Sequence, residues 1–163
     1  CAFVHVPSPS FEDYMPKANV LEAQMIAQIV KKVCSVHQKN GISFDPSKQL
    51  GIIVPYRRQI ATVRTEVAKL MGSSGMCDSS QLLIDTVERY QGSQRDIIIY
   101  GTTITQYYEL DTLSELVMIG DTLVDRKLNV AVTRARKQFI VLGNEQLLSR
   151  NVLYSQLIDF CKP

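Results

Sequence analysis

The sequence predicts an α/β fold, a parallel sheet covered by helices on both faces. Three observations lead there. Short apolar runs at 50–54 and 97–103 are rich in β-branched residues without polar alternation, the pattern of strands buried on both faces. Longer segments between such runs carry apolar residues at helical spacing, so strand and helix alternate. The 163 residues, 45% hydrophobic and 21% charged, suffice for one domain with a sizeable core.

The elements follow in order. A strand is predicted over 2–6, then the loop Pro7-Ser8-Pro9-Ser10, with Pro16 closing the next segment. Asn19 and Glu22 form an N-x-x-E capping pattern ahead of the stripe Val20, Leu21, Met25, Ile26, Ile29, Val30 and Val33. That helix should run to about residue 37 and stop at Asn40-Gly41. The strand at 50–54 ends at Pro55; a helix over 57–70 and a Gly/Ser turn at 72–80 come next. Strands at 82–87 and 97–103 precede the least regular stretch, 105–124, expected as an insertion or mobile loop. A helix over 127–136, a strand over 138–143 and helices at 145–148 and 152–160 complete the chain, which holds no repeat or low-complexity tract.

Composition narrows the function. The formal net charge is only +2, so any nucleic-acid binding must come from a local groove. Cys1, Cys34, Cys77 and Cys161 show no C-x-x-C spacing and no nearby histidine; we expect free thiols in an intracellular protein, cytoplasmic or nucleoid/nuclear. No signal peptide is evident, and no apolar run approaches the ~20 residues of a membrane span. The chain opens directly in a strand, as a piece of a longer polypeptide would. His5 and His37 carry no assigned chemistry.

Open parallel sheets bind ligands at the carboxyl ends of strands. Pro55-Tyr56, Gln91-Gly92 and Thr102-Thr103 each follow or end an apolar run, so a single edge is predicted to carry the site. Two motifs stand out. Leu128-Asn129-Val130-Ala131-Val132-Thr133-Arg134-Ala135-Arg136 sets two arginines beside a threonine at a helix end. An arginine held there can stabilise charge on a transferring phosphoryl group. Upstream lies Val87-Glu88-Arg89-Tyr90-Gln91-Gly92-Ser93-Gln94-Arg95-Asp96. A G-x-x-x-x-G-K-[ST] loop is missing, since no Gly-Lys pair occurs, and no strand ends in Asp-Glu to hold magnesium. No metal site is expected.

These motifs resemble the second RecA-like domain of superfamily 1 helicases, in the branch that includes the nonsense-mediated-decay helicase and senataxin. There an apolar strand leads to V-[DE]-x-[FY]-Q-G-x-E-x-D, then to L-N-V-A-[LIV]-T-R-A-[RK] and an apolar strand ending in G-N. The present chain ends that strand in Phe-Ile-Val-Leu-Gly-Asn at 139–144. Its Gly51-Ile52-Ile53-Val54-Pro55-Tyr56-Arg57-Arg58-Gln59 is similar to G-I-I-[TS]-P-Y-x-x-Q. The likeness covers roughly 1–148, and three motifs in the right order make it specific.

The resemblance implies a three-layer RecA-like domain over 1–163, with the ATP-binding first domain outside this chain. Arg134 then corresponds to an arginine finger reaching ATP held, with Mg2+, mainly by that first domain. Gly92 corresponds to a glycine whose backbone approaches the γ-phosphate, with Gln91 fixing its turn. Gln94 replaces the glutamate that accepts from the ribose, and Arg136 is either a helix-end charge or a second phosphate contact. Pro55, Tyr56, Thr86, Thr102 and Thr103 are the candidates to meet single-stranded DNA or RNA without reading sequence, the alternatives being a core tyrosine at 56 and threonines that simply favour strands. Arg57 and Arg58 are solvated or touch phosphate. Asp96 caps or orients its turn. The whole protein would be an ATP-dependent helicase moving 5′ to 3′, and the isolated chain inactive. The alternatives are a nucleic-acid-binding or regulatory module silent in ATP hydrolysis, and the motor lobe of a nuclease or restriction system.

Overall fold

The structure, a computed structural model, describes residues 1–72, 78–90 and 92–162. Five parallel strands form the central sheet: β1 (Ala2–His5), β2 (Leu50–Ile53), β3 (Leu83–Asp85), β4 (Arg95–Gly101) and β7 (Ala135–Gly143). Their spatial order is β1-β7-β4-β2-β3, and β5 (Leu116–Ile119) pairs with β6 (Thr122–Asp125) in a separate antiparallel hairpin. All of β2 and the last five residues of β7 are buried, as apolar runs without alternation require.

Helices α1 (Val20–Lys39) and α3 (Arg57–Met71) cover one face, where Ile26, Val30, Val63 and Val67 pack on Ile52 and Ile99. On the opposite face α4 (Leu110–Leu113), α5 (Arg126–Thr133), α6 (Glu145–Leu148) and α7 (Val152–Cys161) bury Leu113, Ala131, Leu148 and Tyr154 against Ile98 and Val141. A short α2 (Pro46–Gln49) leads into β2. The fold is thus the three-layer α/β RecA-like arrangement, with each fully buried aliphatic side chain contributing ~1.5–3 kcal/mol.

Local signals set the boundaries. The Asn19 side chain accepts from Glu22 N at 3.0 Å and starts α1. The reciprocal half of that capping box is replaced: Asn19 N donates to Gln59 Oε1 (2.9 Å), which frees the Glu22 carboxyl for other partners. Asp125 starts α5 by accepting from Leu128 N, and its carboxylate also takes the Ser114 hydroxyl at 2.6 Å.

The structure differs from expectation in three ways. Residues 105–124 are ordered as a 3-10 turn, α4 and the β5–β6 hairpin, closed by Gly120 at φ 61°. Their short elements lack the repeat length that makes periodicity visible. The helix predicted over 127–136 stops at Thr133, because Ala135 already pairs with Arg95 in the sheet. Cys1 and Cys161 are joined as a disulfide, with Cα atoms 5.3 Å apart, rather than standing as thiols. Distant spacing conceals such a pair, since only the fold brings the start of β1 to the end of α7. Cys77 lies outside the described residues.

Candidate nucleotide and nucleic-acid sites

The motifs fall on two opposite edges of the sheet, not on one. After β3 the chain crosses a sheet face through the 3-10 turn Val87–Tyr90 and reaches the amino end of β4. α5 likewise runs down to the amino end of β7. The loop around Gly92 and the arginine segment therefore meet at the amino edge. Pro55, Tyr56, Thr102 and Thr103 stay at the carboxyl edge, after β2 and β4. Apolar patterning alone locates strands but not which end a following loop returns to.

At the amino edge, Arg95 N donates to the Arg134 carbonyl (2.9 Å), and Gln94 Nε2 donates to the Thr133 carbonyl (3.3 Å). These bonds hold Gln94 and Arg134 within one small cluster. Arg134 is the C-cap residue of α5 and half-buried. Its Nε donates to the Val130 carbonyl (3.2 Å) and its Nη2 to Thr133 Oγ1 (3.3 Å). Both partners are neutral, so the guanidinium is held by its own helix end and, among the described residues, pairs with no carboxylate.

Gly92 takes φ 79°, and a Cβ there would meet nothing within 4 Å. The glycine is selected by its left-handed backbone, and the space over it is open to a ligand. Gln91 lies outside the described residues. Arg136 belongs to β7, not to a helix end, and its Nη1 sits 3.7 Å from Asp96 Oδ1. Lys137 Nζ holds the other Asp96 oxygen at 2.8 Å, and that hydrogen bond keeps the Asp96 carboxyl below its ordinary pKa. Asp96 is thus an anchor for β7 cations.

At the carboxyl edge the predicted hydroxyls divide. Thr86 is half-buried, and its carbonyl accepts from Arg89 N and Tyr90 N as the 3-10 turn begins. Thr102 and Thr103 are 0% and 1% exposed, so the side chains expected to meet a phosphodiester point inward. Thr102 Oγ1 is buried without a partner. Thr103 adopts φ 59°, a strained conformation for a β-branched residue, and gives both N–H and O–H to Glu22 (2.8 and 3.1 Å). Pro55 and Tyr56 are half-buried ahead of α3, and Arg57 and Arg58 are exposed. Burial and the nearby Glu109 charge push the Tyr56 hydroxyl pKa up.

Glu22 is the residue that sequence reasoning assigned only to capping. It is fully buried on α1, where Gln59 Nε2 also donates to it (3.1 Å). A Cβ on Gly101 would lie 2.7 Å from its Oε1, so β4 closes tightly around the carboxyl. Burial, opposed by the Thr103 and Gln59 hydrogen bonds, raises its pKa to about 7. The Asn19–Glu22 spacing was the only signal for it.

Among the described residues, no group of three or more His, Cys, Asp or Glu is placed to hold a metal ion. No helix among them is long and apolar enough to cross a membrane.

Fold and motifs together define a RecA-like lobe of the helicase kind. Residues 2–146 match the AAA domain family, and the chain belongs to it, as the C-terminal part of a superfamily 1 helicase of the nonsense-mediated-decay and senataxin branch. It is 29% identical over 177 residues to helicase mov-10-B.2 of Danio rerio, covering 99% of this chain and 17% of the relative. It is 30% identical over 158 residues to helicase MOV-10 of Gallus gallus, covering 95% and 15%. Regulator of nonsense transcripts 1 of Dictyostelium discoideum is 31% identical over 144 residues, covering 88% and 10%. The chain therefore spans less than a fifth of these relatives' lengths.

Proposed function

We propose that this chain is the second motor lobe of an ATP-dependent helicase or translocase, completing a nucleotide pocket whose other side lies on a first RecA-like domain. The observation that carries the reading is Arg134, a guanidinium fixed at the amino edge by two neutral partners and, among the described residues, paired with no carboxylate. The residues fit the phosphate side of such a pocket and not its metal side. Gly92 leaves open room beside that charge, while the described residues offer no carboxylate cluster for magnesium. ATP with Mg2+, held by the first domain, supplies the phosphoryl group to be cleaved.

Arg134 would face the γ-phosphate across the cleft and stabilise charge developing on it, a role worth ~10³–10⁵ in rate in phosphoryl-transfer enzymes. The backbone at Gly92 approaches the same phosphate, with Gln91 beside it. Gln94 offers its amide oxygen to the ribose, because its nitrogen is engaged by Thr133. Arg136, loosely paired at 3.7 Å, adds a second positive charge near the cleft.

The carboxyl edge would carry single-stranded DNA or RNA. Pro55, Tyr56 and Thr86 supply its surface, while Thr102 and Thr103 shape the loop from within. An intracellular setting follows from such substrates. The test is Arg134→Ala in the protein carrying both lobes, with ATP turnover measured with and without single strands. Turnover should collapse while strand binding persists; undiminished turnover removes the assignment. The isolated 163 residues should not hydrolyse ATP.

A further inference from the structure

The loops after β1, β2 and β4 bring tyrosines from three separate parts of the chain to the carboxyl edge. Tyr14 Oη and Tyr108 Oη lie 3.1 Å apart, tying the β1–α1 loop to the turn after β4. Tyr56 at the start of α3 lies close enough for its hydroxyl to act on that of Tyr14, and for that of Tyr108 to act on its own. Tyr108 is 64% exposed, and with Tyr14 it lines a cleft of about 230 Å³ floored by Thr105 and Gln106. The bond to Tyr108 pushes the Tyr14 pKa up to about 12.

Cations border these rings. Arg57 and Arg58 are exposed at the head of α3, and Lys17 at the end of the β1–α1 loop. Among the described residues none of the three has a carboxylate within ion-pairing distance. Arg58 Nη1 donates to the Pro16 carbonyl (3.3 Å), fastening the basic helix head to the loop that carries Tyr14. Phe11 extends the row and is 97% exposed, but Glu12 and Asp13 follow it and would repel phosphate. The attractive part is the tyrosine pair with the basic head.

We propose that Tyr14 and Tyr108 form a nucleobase-stacking ledge, with Arg57, Arg58 and Lys17 holding the phosphates of the same single strand. Neutral rings beside unpaired cations are the combination that sequence-tolerant strand binding uses. Hydroxyl-bearing rings among cations suit a base and its phosphate better than an aliphatic protein surface. The ledge rests on the reading of the carboxyl edge as the strand-binding edge, and it names where on that edge the bases go.

The experiment uses the full-length protein and fluorescence anisotropy with two labelled single strands of equal length, oligothymidylate and an abasic backbone. Tyr108→Ala and Tyr14→Ala should each weaken oligothymidylate binding about five-fold or more. Neither should change abasic binding, or the slope of log K against log salt. Tyr108→Phe should bind like wild type, because the ring and not the hydroxyl is used. Arg57→Ala with Arg58→Ala should lower the salt slope on both strands. Equal losses on both strands, no loss on oligothymidylate, or a Tyr108→Phe loss as large as that of alanine would each overturn the ledge. Wild type that binds neither strand would overturn the strand-binding reading itself. Wild-type-like strand binding by the alanine variants, with a protein partner lost instead, would make the ledge a protein surface and end the proposal.

Discussion

Replacing Glu22 by glutamine should remove a pH-dependent part of the protein's stability. The carboxyl is fully buried, and its pKa rises from 4.5 to about 7 on folding. The folded chain therefore keeps a proton that the unfolded chain has already lost between those values. Stability linked to Glu22 is complete below pH ~4.5 and declines as pH rises to ~7, where the charged form must be buried. At ~1.36 kcal/mol per pKa unit the whole step is roughly 3 kcal/mol. Glutamine does not titrate, but its amide turns one acceptor into a donor facing Thr103 or Gln59, at a pH-independent cost of ~1–3 kcal/mol. Urea unfolding midpoints of both proteins at constant ionic strength, from pH 5 to pH 8, separate the two effects, because all other groups cancel in the difference. Wild type should be the more stable at pH 5, and the gap should shrink by about 2–3 kcal/mol by pH 8. A constant gap across that range refutes the argument that burial dominates the three hydrogen bonds.

Other substitutions probe the rest of the reading. Arg134→Lys should fail to restore ATP turnover lost in Arg134→Ala, since a point ammonium does not reproduce the planar fork set by Val130 and Thr133; full restoration in a turnover assay would make the role one of charge alone. Gly92→Ala should lower stability by about 1 kcal/mol in a thermal melt through its positive φ, with no steric term, and should depress turnover far more. Tyr90→Phe should cost ~1–3 kcal/mol by denaturant titration, because the hydroxyl accepts from Ile52 N (3.1 Å) and donates to the Leu83 carbonyl (2.7 Å). Thr102→Val should leave strand affinity unchanged and stability equal or higher, since it removes a buried hydroxyl without a partner; a large fall in affinity would place that hydroxyl on the strand.

Much of the fold was legible in the sequence because the strands are buried on both faces and α1 is long enough to display its stripe. α1 runs Val20–Lys39 against an expected stop at Asn40-Gly41, and β2 runs Leu50–Ile53 against 50–54. The β5–β6 hairpin was not, since its outward residues Leu116, Met118 and Ile119 are exposed and apolar, which conceals alternation. The candidate site residues were chosen for their chemistry, and the sequence did not say which edge each would occupy. Arginine, glycine and tyrosine could be chosen from spacing and likeness, whereas Thr103 was chosen for its hydroxyl, and burial gives that hydroxyl to Glu22.

The division between edges follows from one structural economy. β3 has only three residues, and the chain leaves it at the carboxyl edge and enters β4 at the amino edge with just the 3-10 turn between. A full crossover helix would separate the two edges by a rigid body; here Thr86 begins the segment and Gly92 follows it closely. The Tyr90 hydroxyl pins its middle to β2 and β3, and Gly51 makes the room, since a Cβ there would lie 2.5 Å from that oxygen. Only five residues separate Gly92 from Thr86 in sequence, and two of them, Val87 and Tyr90, are buried in the core on that face. Coupling between the two proposed edges would need such a short two-ended element, and this segment shares that property with β4, which runs from beside Gln94 to Thr102.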